Sequence, residues 1–111
     1  RRLMDILCNY AGYRKCVPIL VFDAYRVKGA GREQETWHNL HVIYTREAET
    51  ADMFIERATH ELAKNHRVRV VSSDGAEQII ILGNGALRVS ARAFEREVHA
   101  VEAEIREFLD Q

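Results

Sequence analysis

The stretch VPILVFD, residues 17–23, decides the fold: an unbroken apolar run, rich in β-branched side chains, that closes on a carboxylate. A short run of this kind reads as a strand buried on both faces, as in a parallel sheet covered by helices. Pro18 is tolerable so near the start of such a strand. LHVIYT (40–45) and VRVVSS (68–73) have the same character and predict a second and a third buried strand.

Helical spacing surrounds these strands. Leu3, Met4, Ile6, Leu7 and Tyr10 predict an amphipathic helix over 2–12, with Gly12 as its stop. Residues 24–39 are polar and punctuated by glycine, so a loop is expected there. Thr50 is a good N-cap for a helix carrying Ala51, Phe54, Ile55, Ala58, Leu62 and Ala63 to about Asn65. Asp74, with Glu77 three residues on, has the form of a capping box, which predicts a helix through Ile79–Leu82 ending at GNG. Residues 86–89 suit a short edge strand. Ser90 opens a last helix with Phe94, Val98, Val101, Ile105 and Phe108 on one face. The expected order is α-β-β-α-β-α-α, an α/β three-layer fold.

At 111 residues the chain fits one domain. With 16 Lys+Arg against 17 Asp+Glu the net charge is -1, so bulk positive charge is not its means of gripping nucleic acid. Its two cysteines, Cys8 and Cys16, make no disulfide framework and suit a reducing, cytoplasmic setting. No apolar run has the length of a membrane span, and no signal peptide is visible. The start at Arg1, inside a helical pattern and without an initiator Met, suggests a fragment.

Three acids fall where chemistry is expected. Asp23 ends the first strand, Asp52 lies in the first turn of the helix after the second, and Asp74 follows the third. Carboxyl ends of strands form the ligand-binding edge of open α/β sheets. Converging carboxylates there suit Mg²⁺ or Mn²⁺. Two such ions about 4 Å apart support phosphodiester cleavage. Structural roles compete: the helix dipole favours Asp52 and capping explains Asp74. Asp23, closing an apolar strand, has no such explanation.

The runs VFDAYRVKG, VIYTREAETAD and VRVVSSDGAEQIIILGNGALRVSARAFEREV, in that order, resemble the YacP-like NYN family of PIN-like nucleases. The resemblance spans Tyr13 to about Val98. It implies a three-layer PIN-like (Rossmann-like) parallel sheet with helices on both faces, and a cytoplasmic endoribonuclease that in bacterial members cleaves mRNA on the translating ribosome. It also implies a metal site to which Asp23, Asp52 and Asp74 contribute. The family begins with a further strand ending in an Asp-Gly-Tyr-Asn type motif, central in the sheet between the strands at 17–23 and 67–73. That N-terminal central strand is missing from this sequence. If the strand is absent from the protein, the expectation is weak or no cleavage, and a sheet left with a gap, closed by rearrangement or completed by another chain. If it precedes Arg1, the family mechanism stands.

Secondary candidates surround the acids. Arg26, Lys28 and Arg32 lie on a glycine-containing loop suited to an RNA backbone. Arg88 and Arg92 belong to the segment that matches the family and are candidate phosphate or ribosome contacts. Glu49 and Glu77 are candidate helpers for which helix-start and capping roles weigh more, and Ser73 suits phosphate or carboxylate binding and a turn equally. Trp37 and His38 have the chemistry to stack on a base, although burial suits Trp37 better. GNG is not a dinucleotide fingerprint, since it follows an expected helix and lacks a third glycine. The histidines, His41, His60, His66 and His99 among them, show no ligand spacing. The competing function is a docking module that binds RNA or the ribosome without cutting. A receiver-like phosphoacceptor is disfavoured, because it needs an acidic pair and a later lysine that are not there.

Overall fold

Helix α1 (Arg2–Arg14) seats Leu7, Tyr10 and Ala11 in the core, with Leu3, Met4 and Ile6 half-buried beside them. It runs past the stop expected at Gly12. Termination falls instead to Lys15, which adopts the left-handed conformation at φ 57°. The Cys16 N–H then donates to the Ala11 carbonyl at 3.1 Å, the closing bond of a Schellman turn. The structure, a computed structural model, describes residues 2–23, 34–46, 49–72, 77–83 and 88–111.

The remaining elements are β1 (Val17–Phe22), β2 (Gln34–Trp37), β3 (Leu40–Tyr44), α2 (Ala51–Leu62), β4 (Val68–Ser72), β5 (Glu77–Leu82), β6 (Arg88–Ser90) and α3 (Ala91–Leu109). Two of the caps expected from sequence, Thr50 and Ser90, are present. Thr50 Oγ1 accepts from the Met53 N–H, and Ser90 Oγ accepts from the Ala93 N–H, each at 3.1 Å.

Two elements correct the expectations. Part of the segment expected to be a loop, residues 34–37, is the edge strand β2, joined to β3 by a hairpin through His38 and Asn39. QETW carries no apolar run, and an edge strand with one neighbour needs none. The helix expected after Asp74 is instead β5. Consecutive isoleucines at 79, 80 and 81 favour extended backbone, and the sheet buries the run on both faces. Ile79 and Ile81 pack toward α1 and α3, while Ile80 packs toward α2. A helix would have turned part of that run to solvent. GNG therefore follows a strand, with Gly83 at φ 93°.

The sheet has six strands in the order β2-β3-β1-β5-β4-β6. β1 pairs with β3 in parallel, and β4 pairs with β6 in parallel. β5 is antiparallel to both β1 and β4, so β1 and β4 run the same way. The expected parallel sheet is thus a mixed one. Its position between β1 and β4, where the resemblance implied another parallel strand, is held by β5. Pro18 has a paired neighbour in β5 alone, because the β1–β3 register begins at Ile19.

Helices cover both faces, giving the three layers. Phe94, Val98 and Val101 of α3 join α1 over Leu20, Val42 and Val71, whereas Ala51 and Ile55 of α2 cover Val21, Val68 and Val70. Phe108, expected on the buried face of α3, is 71% exposed near the end of the helix. A polar tie crosses the first layer. Arg69 of β4 holds Glu97 of α3 through both carboxylate oxygens, at 2.7 and 2.8 Å. The Tyr10 hydroxyl of α1 donates to the same carboxylate.

Candidate active site at the carboxyl edge of the sheet

Because β1, β3, β4 and β6 point the same way, their carboxyl ends share one edge. The Thr45 N–H donates to the Phe22 carbonyl at 3.0 Å, carrying the β1–β3 ladder one step beyond the strands. Asp23 follows directly, half-buried. The start of β5 lies at this edge too, with Glu77 opposite Phe22 and Gln78 opposite Val21.

Asp52 reaches the same edge from the first turn of α2. Its placement follows from the Thr50 cap, which starts the helix there, and from Ala51 and Ile55, which press the helix onto the sheet. Asp52 Oδ1 accepts a hydrogen bond from Gln78 Nε2. Gln78 itself is buried, and its Oε1 has no hydrogen-bond partner among the described residues. Sequence reading missed Gln78. The helix assigned to residues 75–82 gave it no special place, although as a strand EQIIIL puts a lone amide where every other inward residue is apolar.

Farther along the same edge, at β4 and β6, lies a basic flank. Arg88 Nη1 donates to Ser72 Oγ at 2.8 Å, and Ser72 pairs with Ser90 at the ends of β4 and β6. The first turn of α3 holds no acid and carries the exposed Arg92. The helix dipole favours the opposite sign at that position, so a cation there suits an anionic ligand.

The structure therefore brings Asp23, Asp52, Arg88 and Arg92 to one edge. Asp74, Ser73, Arg26, Lys28 and Arg32 lie outside the described residues, as do the side chains of Glu77 and Trp37. Glu49 is held by Arg57 at 2.9 Å, which gives it a structural partner. His99 pairs with Glu102 at 3.2 Å. Among the described residues no group of three or more His, Cys, Asp and Glu is placed to hold a metal ion. The donors at the edge, carboxylates and a serine hydroxyl, are hard oxygens of the kind Mg²⁺ and Mn²⁺ prefer. The buried, unmatched Gln78 oxygen beside Asp52 is a further acceptor. The residues fit such an ion in kind, and Asp74 is the candidate that would complete the set.

The chain matches the YacP-like NYN domain over residues 1–111. It belongs to that family. YacP-like NYN domains are PIN-like nucleases, and the observed α/β architecture agrees. A Bacillus subtilis (strain 168) protein described as uncharacterized protein YacP is 42% identical over 104 residues, which cover 93% of this chain and 61% of that protein. The crystal structure of Rae1 (YacP) from Bacillus subtilis is similar at a TM-score of 0.73 and 34% identity, over 97% of this chain and 62% of that one. The chain thus spans about three-fifths of the length of these relatives. No helix among the described residues is long and apolar enough to cross a membrane.

Proposed function

We propose that this YacP-like NYN domain is a metal-dependent endoribonuclease that hydrolyses RNA phosphodiester bonds, acting on mRNA at the translating ribosome. The observation that supports it most is that Asp23 and Asp52 lie on one carboxyl edge of the sheet, in a chain of a nuclease family.

In this reading Asp23, Asp52 and Asp74 hold Mg²⁺ or Mn²⁺. When bound, the ion supplies an activated water and neutralises charge developing on the phosphate. The protein's part is to place the substrate. Arg88 and Arg92 engage phosphates along the same edge as the acids, joined by Arg26, Lys28 and Arg32 of the sequence that follows Asp23. Attack on phosphorus forms one P–O bond and breaks the bond to the leaving ribose oxygen, which takes up a proton. The near-neutral charge suits an enzyme delivered to its RNA by a larger partner, and the ribosome fits that role.

Cleavage of a labelled RNA in Mn²⁺ tests the proposal. Asp23→Asn and Asp52→Asn should each lower the rate by about 100-fold or more while leaving the melting temperature within a few degrees. An RNA that is bound but never cut, with or without metal, would favour the docking module instead.

A further inference from the structure

We infer that Gln78 is a positioning residue for the metal site: its amide N–H fixes Asp52, and its unmatched carbonyl oxygen accepts a hydrogen bond from hydration water of a divalent cation held there. The inference rests on reading this edge as a divalent-cation site.

Gln78 sits on β5, which lies between β1 and β4, is 7% exposed, and shares its sheet face with apolar residues that include Val21, Val68, Val70 and Ile80. A glutamine here has a cost. Its Nε2 is satisfied by Asp52, but Oε1 is buried without a partner among the described residues. Burying an amide oxygen unpaired is unfavourable, and an apolar side chain of similar length would avoid it. The amide cannot relieve the problem by turning over, because that would set its carbonyl oxygen against the Asp52 carboxylate. Packing therefore does not explain the residue.

The geometry does suggest a use. The two amide heavy atoms are only about 2.3 Å apart by covalent geometry, so the unmatched oxygen lies close to the Asp52 carboxylate. One carboxylate oxygen of Asp52 is taken by the amide, which fixes the plane and leaves the other oxygen for a ligand. A cation at that second oxygen carries water whose O–H groups seek acceptors, and Gln78 Oε1 is an acceptor without a donor. Groups that orient a metal-binding carboxylate in this way typically change affinity by about 10- to 100-fold when removed.

The test is Mn²⁺ binding by calorimetry on the full chain, with melting temperature measured in parallel. Gln78→Met should weaken Mn²⁺ binding about 10- to 100-fold while its metal-free melting temperature stays the same or rises. Ile80→Val, on the same face of the same strand, should lower the melting temperature and leave the affinity unchanged. Equal affinity in wild type and Gln78→Met, with Asp52→Asn abolishing binding, overturns the role of Gln78 and leaves the metal site standing. A fall in both affinity and melting temperature for Gln78→Met, matched by Ile80→Val, shows general loosening and overturns it as well. No Mn²⁺ binding by wild type removes the cation-site reading and this inference with it.

Discussion

Glu97 is shared by two donors from different elements, and its surroundings give a pH signature. The Arg69 guanidinium holds its carboxyl below the ordinary carboxylate range, with the Tyr10 hydroxyl adding to the effect. Burial, together with the hydrogen bond to Glu97, pushes the Tyr10 hydroxyl up to about 12. Below the ordinary carboxylate range the unfolded chain takes up a proton before folded Glu97 does, so this share of stability is lost as pH falls. At the alkaline end the unfolded tyrosine releases its proton near its ordinary value of about 10, while folded Tyr10 keeps its own. Stability therefore declines as pH rises from about 10 to about 12. Tyr10→Phe should cost about 1.5 kcal/mol at pH 7 by urea denaturation, the worth of a hydrogen bond to a charged group. The same variant should show a flatter decline above pH 10.

At the scale of elements, β5 is the one whose reading matters most. Ile80 is fully buried between α2 and the sheet, so Ile80→Ala should destabilise by about 2–5 kcal/mol. Phe108→Ala, on an exposed turn of α3, should change stability by less than about 0.5 kcal/mol. Chemical denaturation of the two variants checks both values. The same strand shows where sequence reading succeeds and fails. β1, β3 and β4 were legible because each is a short β-branched run, and α2 and α3 because each pairs a capping hydroxyl with an apolar stripe. β5 was read as a helix because Asp74 and Glu77 have capping-box spacing, a local signal that tertiary burial overrode. β2 was missed because an edge strand made of QETW leaves no apolar trace. Gln78 was invisible for the same reason as β5: its meaning depends on lying in a strand opposite Val21. Asp23 and Asp52 were legible at strand and helix ends, and a shared edge for them was part of that reading because parallel strands end on one side.

Across the whole molecule, an even balance of charge frames how RNA is engaged. With a net charge of -1, the proposed function draws attraction from local basic groups and not from the molecule's overall field, and Arg88 and Arg92 are the candidates among the described residues. Replacing both by Ala should reduce the slope of log affinity against log salt by about 1 to 1.5, since each phosphate contact on a single strand contributes about 0.7. Binding of a fluorescent single-stranded RNA across a salt series measures that slope. An unchanged slope would place the phosphate contacts elsewhere, with Arg26, Lys28 and Arg32 the first candidates.

The central claim is that the carboxyl edge is a divalent-cation site built on Asp23 and Asp52, and Mn²⁺ calorimetry tests it most directly. Wild-type protein should bind Mn²⁺, Mg²⁺ should compete, and Asp23→Asn and Asp52→Asn should each weaken binding by about 10-fold or more with the fold intact. Binding that is absent from the wild type, or unaltered by both substitutions, would contradict the account and leave the acids of this edge as capping and strand-end groups.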